Sequence, residues 1–82
     1  EQVELDVVIK DGKIILVEIK SSAGKNDIYI FLKKRSFFEN FSKSKVSKMV
    51  FITPSLDYIA KETAKKLNIK LCDSTEKIPK II

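Results

Sequence analysis

Two runs rich in Val, Ile and Leu, residues 3–10 (VELDVVIK) and 13–20 (KIILVEIK), are separated by Asp11-Gly12 alone. Such runs read as strands, and an Asp-Gly step between them is a strong signal for an antiparallel hairpin. The odd positions Val3, Leu5, Val7, Ile9, Ile15, Val17 and Ile19 are all apolar. The even positions carry Glu4, Asp6, Val8, Lys10, Ile14, Leu16, Glu18 and Lys20. Loop length decides which sets share a face. A two-residue loop pairs Lys10 with Lys13 and Leu5 with Glu18, mixing apolar and charged residues on each face. A three-residue loop, Lys10-Asp11-Gly12 with Gly12 at positive φ, pairs Ile9 with Lys13 and Glu4 with Glu18. It gathers all the odd residues on one face, and Gly12 suits the bulge position of such a turn. On this argument the three-residue loop is expected.

The chemical consequence is that Asp6, Glu18 and Lys20 share a face. Asp6 then lies diagonal to Glu18 at roughly 7–8 Å between backbones, within reach of one cation for both carboxylates. The same face carries Val8, Ile14 and Leu16, so its apolar end is expected to be covered and its charged end to lie at a rim. The alternative is an amphipathic hairpin with a solvated polar face and a cross-strand salt bridge. That alternative explains the lysines better than the acids. Acids are disfavoured in strands, and facing like charges cost energy unless a cation or proton intervenes.

After the loop at 21–25, Asn26 and Asp27 are candidate N-caps for a helix from Ile28 to about Phe41. Lys34 and Arg35 intrude on its apolar sector, and Ser36 with Glu39 offers a capping box that would restart it; one helix is expected. Phe31, Phe37, Phe38 and Phe41 read as core aromatics, with base stacking as the alternative. A polar connection over 42–48 leads to a short buried strand at Val50–Thr53, starting near Lys48. Pro54 stops it and Ser55 is positioned to cap the next helix. There Leu56, Ile59, Ala60, Thr63, Ala64 and Leu67 repeat at three- and four-residue spacing. Asn68 is a plausible stop, Ile69–Cys72 a last strand, and the tail to Ile82 irregular. The order β-β-α-β-α-β predicts an α/β fold with a mixed sheet and right-handed crossovers. Residues 1–82 read as a single domain.

Composition narrows the chemistry. The chain has no histidine and one cysteine, which excludes Ser-His-Asp and Cys-His catalysis, disulfide frameworks and cysteine-rich zinc sites. Any catalysis here is left to carboxylates and lysines, with a hard, oxygen-loving cation as an option. Cys72 reads as a small buried hydrophobe. There is no run of 18 apolar residues and no visible signal peptide, so a location away from the membrane, in the cytoplasm, is expected. The net charge of +5 is concentrated in residues 33–48. There Lys33, Lys34, Arg35, Lys43, Lys45 and Lys48 face a single acid, Glu39. A basic stretch on a neutral body suits nucleic acid; a solvated lysine-rich helix end is the alternative. Arg35 is the best single candidate for a phosphate contact, against the simpler reading of a snorkelling side chain.

Asp6, the glycine turn at Gly12 and the run Val17-Glu18-Ile19-Lys20 together resemble the D-(x)n-(E/D)-x-K core of the PD-(D/E)XK nuclease superfamily. Restriction endonucleases and archaeal Holliday-junction resolvases belong to it. The resemblance covers roughly residues 3–53. It implies a restriction-endonuclease-like core and a metal-dependent endonuclease or exonuclease acting on DNA. In that case Asp6 and Glu18 are ligands of Mg²⁺ or Mn²⁺, with the backbone carbonyl of Ile19 as a third. Lys20 orients or helps deprotonate the attacking water and stabilises phosphate charge, and Glu4 is a possible extra acid. Segment 33–48 would hold the DNA backbone. A catalytically inactive module that binds nucleic acid or a partner protein is the second reading. Leu5 stands where the family usually has proline. The family core also normally begins with a helix and a strand that have no counterpart before Glu1. The expectation is therefore an N-terminally incomplete domain whose open strand edge favours a homodimer.

Overall fold

The computed structural model describes residues 4–74. The hairpin consists of β1 (Glu4–Lys10) and β2 (Lys13–Ile19), followed by α1 (Lys25–Ser42), β3 (Val46–Ile52), α2 (Tyr58–Lys66) and β4 (Lys70–Cys72). This is the expected order. The sheet runs β1-β2-β3-β4, with β1 antiparallel to β2 and the other neighbours parallel. Val3 and the tail from residue 75 lie outside the described residues. No helix among the described residues is long and apolar enough to cross a membrane.

Both crossover helices pack on one face of the sheet. Ile28 and Phe31 of α1 join Ala60 and Ala64 of α2 over Leu16, Met49 and Phe51. Phe31 meets Phe51 edge-on, with ring centroids 5.5 Å apart. The opposite face carries Ile15, Val17, Val50, Ile52 and Cys72, all buried, with Val8 packed against them. Consecutive residues of β2 from Ile15 to Glu18 are therefore all buried, as in parallel sheets shielded on both sides.

That two-sided burial corrects the expected hairpin register. β1 and β2 pair as Leu5–Glu18, Asp6–Val17 and Lys10–Lys13, so the loop is Asp11-Gly12 alone. Both loop residues have positive φ, 53° and 78°, the signature of a type I′ turn, whose twist matches that of the strands. Collecting every apolar residue on one face is advantageous only where the other face is wet. Here both faces of β2 need apolar side chains, and the two-residue register supplies them: Leu5, Ile14 and Leu16 toward the helices, Val8, Ile15 and Val17 away. The cost falls on β1, where Lys10 faces Lys13 and Val7 and Ile9 stay 44% and 71% exposed.

Helix α1 starts earlier than expected. Gly24 is its N-cap, and Asp27, in the first turn, accepts the Gly24 N–H at 2.9 Å. The helix runs unbroken through Ser36 and ends at Lys43 in the left-handed region. Glu39 does not restart a helix. Its carboxylate accepts the Val46 N–H at 2.7 Å and meets Arg35 at 3.5 Å, tying the end of α1 to the start of β3. The Val46 bond, with Arg35 and Lys45 nearby, holds the Glu39 carboxyl below its ordinary range. Asp57, not Ser55, caps α2, accepting the Ala60 N–H at 2.7 Å. Asn68 turns the chain with positive φ, as expected. Ile59 is exposed rather than inward. Phe31 is core, but Phe37 and Phe41 are 73% and 81% exposed and stack on each other at 6.3 Å. The inward stripe of α1 follows Asp27, Phe31, Lys34 and Phe38, and Phe37 and Phe41 lie to one side of it.

Gly12 tests the turn. Nothing lies within 4 Å of a Cβ built there, so Gly12→Ala meets only the strain of a positive φ. It is expected to destabilise the fold by about 1 kcal/mol, read from the urea midpoint.

Candidate active site

Glu18 lies in the middle of the sheet, between Leu5 of β1 and Phe51 of β3, and its side chain is 1% exposed. A carboxylate so placed must find a counter-charge or lose several kcal/mol to desolvation. It finds Lys34, whose Nζ donates to Glu18 Oε1 at 2.8 Å and is 26% exposed. Lys20, two residues on and just past the end of β2, turns to the same helix. Its Nζ donates to Asp27 Oδ1 at 2.8 Å, while its backbone N–H bonds the Ile52 carbonyl at 3.0 Å. The Lys20 ammonium, with the Gly24 N–H, holds the Asp27 carboxyl below its ordinary range against an opposing effect of burial.

The acid and base of E-x-K on β2 are thus matched, with signs reversed, by the acid and base at Asp27 and Lys34 of α1. The spacing follows from geometry. Positions two apart on a strand face one way, positions seven apart on a helix share a face, and the helix runs back along the strand it follows. Phe31, which falls between Asp27 and Lys34 along α1, is fully buried.

The remaining expected residues fall elsewhere. Asp6 pairs with Val17, so it belongs to the sheet face away from α1, and it is exposed. The structure does not bring Asp6 to Glu18, which corrects the shared face expected from the three-residue loop. Glu4 stands opposite Ile19 in the ladder; Ile19 is the residue whose carbonyl was the expected third donor. The basic residues do not form one patch. Lys33 and Lys34 border a groove of about 400 Å³ with Leu5, Ile30, Phe37, Phe38 and Phe41. Arg35 is engaged by Glu39, Lys43 and Lys45 are exposed on the connection, and Lys48 pairs with Ile15 on β2. Lys48 lines a second hollow with Lys10 and Lys13 at the hairpin end. Lys34 as the partner of Glu18 escaped the sequence reading. Its intrusion into an apolar helix sector was the available signal.

A four-stranded mixed sheet with two crossover helices on one face, and E-x-K closing its second strand, defines a restriction-endonuclease-like nuclease fold. A model of the PD-(D/E)XK nuclease superfamily matches residues 1–70, and the chain belongs to that superfamily. The match extends past the stretch on which the motif alone could be seen. A solved structure of EndoMS in apo form is similar over 90% of this chain, with a TM-score of 0.75 and 18% sequence identity. This chain spans 33% of that one, and the likeness is one of fold. No curated protein matches the chain.

Nucleases of this superfamily generally use divalent metal ions. The residues that would hold one do not converge in this arrangement. Asp6 and Glu18 are on opposite faces, and Glu18 is already neutralised by Lys34. Among the described residues no three Asp, Glu or Cys side chains cluster as a metal site, and no buried side-chain N or O atom lacks a hydrogen-bond partner.

The ion pair has a thermodynamic signature. Lys34→Met strands a buried carboxylate and is expected to cost about 3 kcal/mol in urea denaturation, while Glu18→Leu together with Lys34→Met returns close to wild type.

Proposed function

We propose that this chain is a nuclease-type core that hydrolyses phosphodiester bonds in DNA, with Glu18 and Lys20 as its reactive limb. One observation carries the reading. In a chain of this superfamily, the E-x-K acid and base both turn toward α1 from the end of β2, held at 2.8 Å by their partners. A lysine ammonium in a partly water-excluded place stabilises charge building on a phosphate far better than it would in bulk water. The exposed Lys33, Lys43 and Lys45 are free to take DNA phosphates, a task indifferent to sequence. Asp6 is the third catalytic residue of this reading and Glu4 the possible extra acid. For either to meet Glu18, β1 must move by one residue against β2, because a one-residue shift exchanges the faces of a strand. Mg²⁺ or Mn²⁺ belongs to the reading only in that shifted arrangement. A cytoplasmic location goes with it.

The test is cleavage of linear, supercoiled and four-way-junction DNA with Mg²⁺ or Mn²⁺, beside Asp6→Ala and Glu18→Ala. Cutting that requires the metal and falls at least about a hundredfold in either variant is the expected result. Cutting that persists in both variants would exclude these residues as its source.

The placement of Asp6 away from a neutralised Glu18 favours a second reading, a nuclease-like module that binds nucleic acid without cutting it. Salt-sensitive DNA binding that is unchanged by Asp6→Ala, with no cleavage, would select it. Either reading accommodates a homodimer. β1 has one neighbour in the described sheet and exposes Val7 and Ile9, so we place the contact with a second copy there. Sedimentation velocity is expected to show association that Ile9→Lys abolishes; a monomer at all concentrations removes the dimer.

A further inference from the structure

The environment of Glu18 assigns a role to Lys34 that the motif does not contain. Glu18 is the one acid among the buried residues of the described chain. Two lysines lie near it in sequence or space, and they are not equivalent. Lys20, its neighbour in the motif, is held by Asp27 at 2.8 Å. Lys34, sixteen residues away and one helix across, sits 2.8 Å from the carboxylate. Lys34 also interrupts the inward stripe of α1 between Phe31 and Phe38, where an apolar residue would otherwise pack. A lysine in that place is explained by the carboxylate beneath it.

We propose that Lys34 is the resident cation of Glu18 and competes for the carboxylate with any divalent cation. The ammonium is tethered to a helix that is itself packed on the sheet, so its effective concentration at Glu18 is high. It already supplies the counter-charge that burial of Glu18 demands. An added metal ion at the same oxygen would meet a positive charge at close range, in surroundings where screening is weak. With Asp6 on the other face, it would also lack a second protein carboxylate to offset that repulsion. Glu18 is thus an acid occupied from within the chain, and metal affinity at this position is set by a residue on α1 rather than by the E-x-K run itself. Lys34 acts here as a positioning residue, through Glu18. The inference concerns the carboxylate used in the proposed function but rests on the ion-pair geometry alone.

Mn²⁺ binding to the 82-residue chain, followed by water-proton relaxation, tests it. Five proteins are compared: wild type, Lys34→Met, Lys34→Gln, Lys34→Arg, and Lys34→Met with Glu18→Gln. Groups bonded to a ligating carboxylate change metal affinity by about 10–100-fold. Lys34→Met is expected to bind Mn²⁺ at least about tenfold more tightly than wild type. Lys34→Arg, which keeps the charge, is expected to match wild type, and Glu18→Gln to remove the gain. Lys34→Gln removes the charge while leaving a hydrogen-bonding partner, so the comparison does not hang on the folding of Lys34→Met. Equal Mn²⁺ affinity in wild type and both neutral variants overturns the proposal, as does a gain that survives Glu18→Gln. A structural role alone would change stability and leave the Mn²⁺ affinity untouched. The two readings fail separately. Absence of DNA cleavage leaves this inference standing, and unchanged Mn²⁺ affinity in the Lys34 variants leaves the nuclease reading standing.

Discussion

The buried charge of Glu18 organises the contact between the sheet and its first helix. Glu18 lies in the centre of the sheet with almost no access to water, and such a group is tolerated only with a partner in hydrogen-bonding distance. Lys34 meets that demand from α1, and Lys20 with Asp27 repeats the arrangement with opposite signs nearer the start of the helix. Hydrophobic burial of Phe31 and Ile28 draws α1 onto the sheet but is not directional. The two ion pairs are directional. They fix where along its axis the helix rests, since a slide of one turn would part both pairs at once.

Much of the architecture was legible because it is written locally. The strand runs, the Asp-Gly step, the spacing of Ala60, Thr63 and Ala64, and the stop at Asn68 each carry their own signal, and the crossovers follow from their order. The hairpin register was not legible, for a physical reason. The choice between loops of two and three residues was argued from one-sided burial, whereas Ile15 through Glu18 are buried on alternate faces in succession. Strand composition cannot distinguish a sheet covered once from one covered twice. The same error moved Asp6 across the sheet.

The candidate site shows the complementary limit. Glu18 and Lys20 were found from a motif two residues apart, but their partners are sixteen and seven residues away on a different element. Lys34 looked like a flaw in an amphipathic helix and a phosphate ligand in waiting; it is the counter-charge of the motif's own acid. Phe37 and Phe41 were assigned to the core because they are aromatic on a core helix, yet the stripe that faces the sheet passes them by. Side-chain class was right and helical phase was not. Membership of a nuclease superfamily therefore fixes the kind of chemistry to look for, while the pairing of charges decides which parts of that chemistry this arrangement holds ready.

The hairpin joins two strands of unequal durability. β2 is flanked by neighbours on both sides and buried on both faces. β1 has one neighbour among the described residues and carries Val7 and Ile9 in solvent. Amide protons on strands of the first kind exchange only through global unfolding, whereas an outer strand peels away in small, frequent openings. The two motif acids thus belong to different cooperative units. Exchange at Glu18 is expected to follow global unfolding, and exchange at Asp6 the opening of an outer strand.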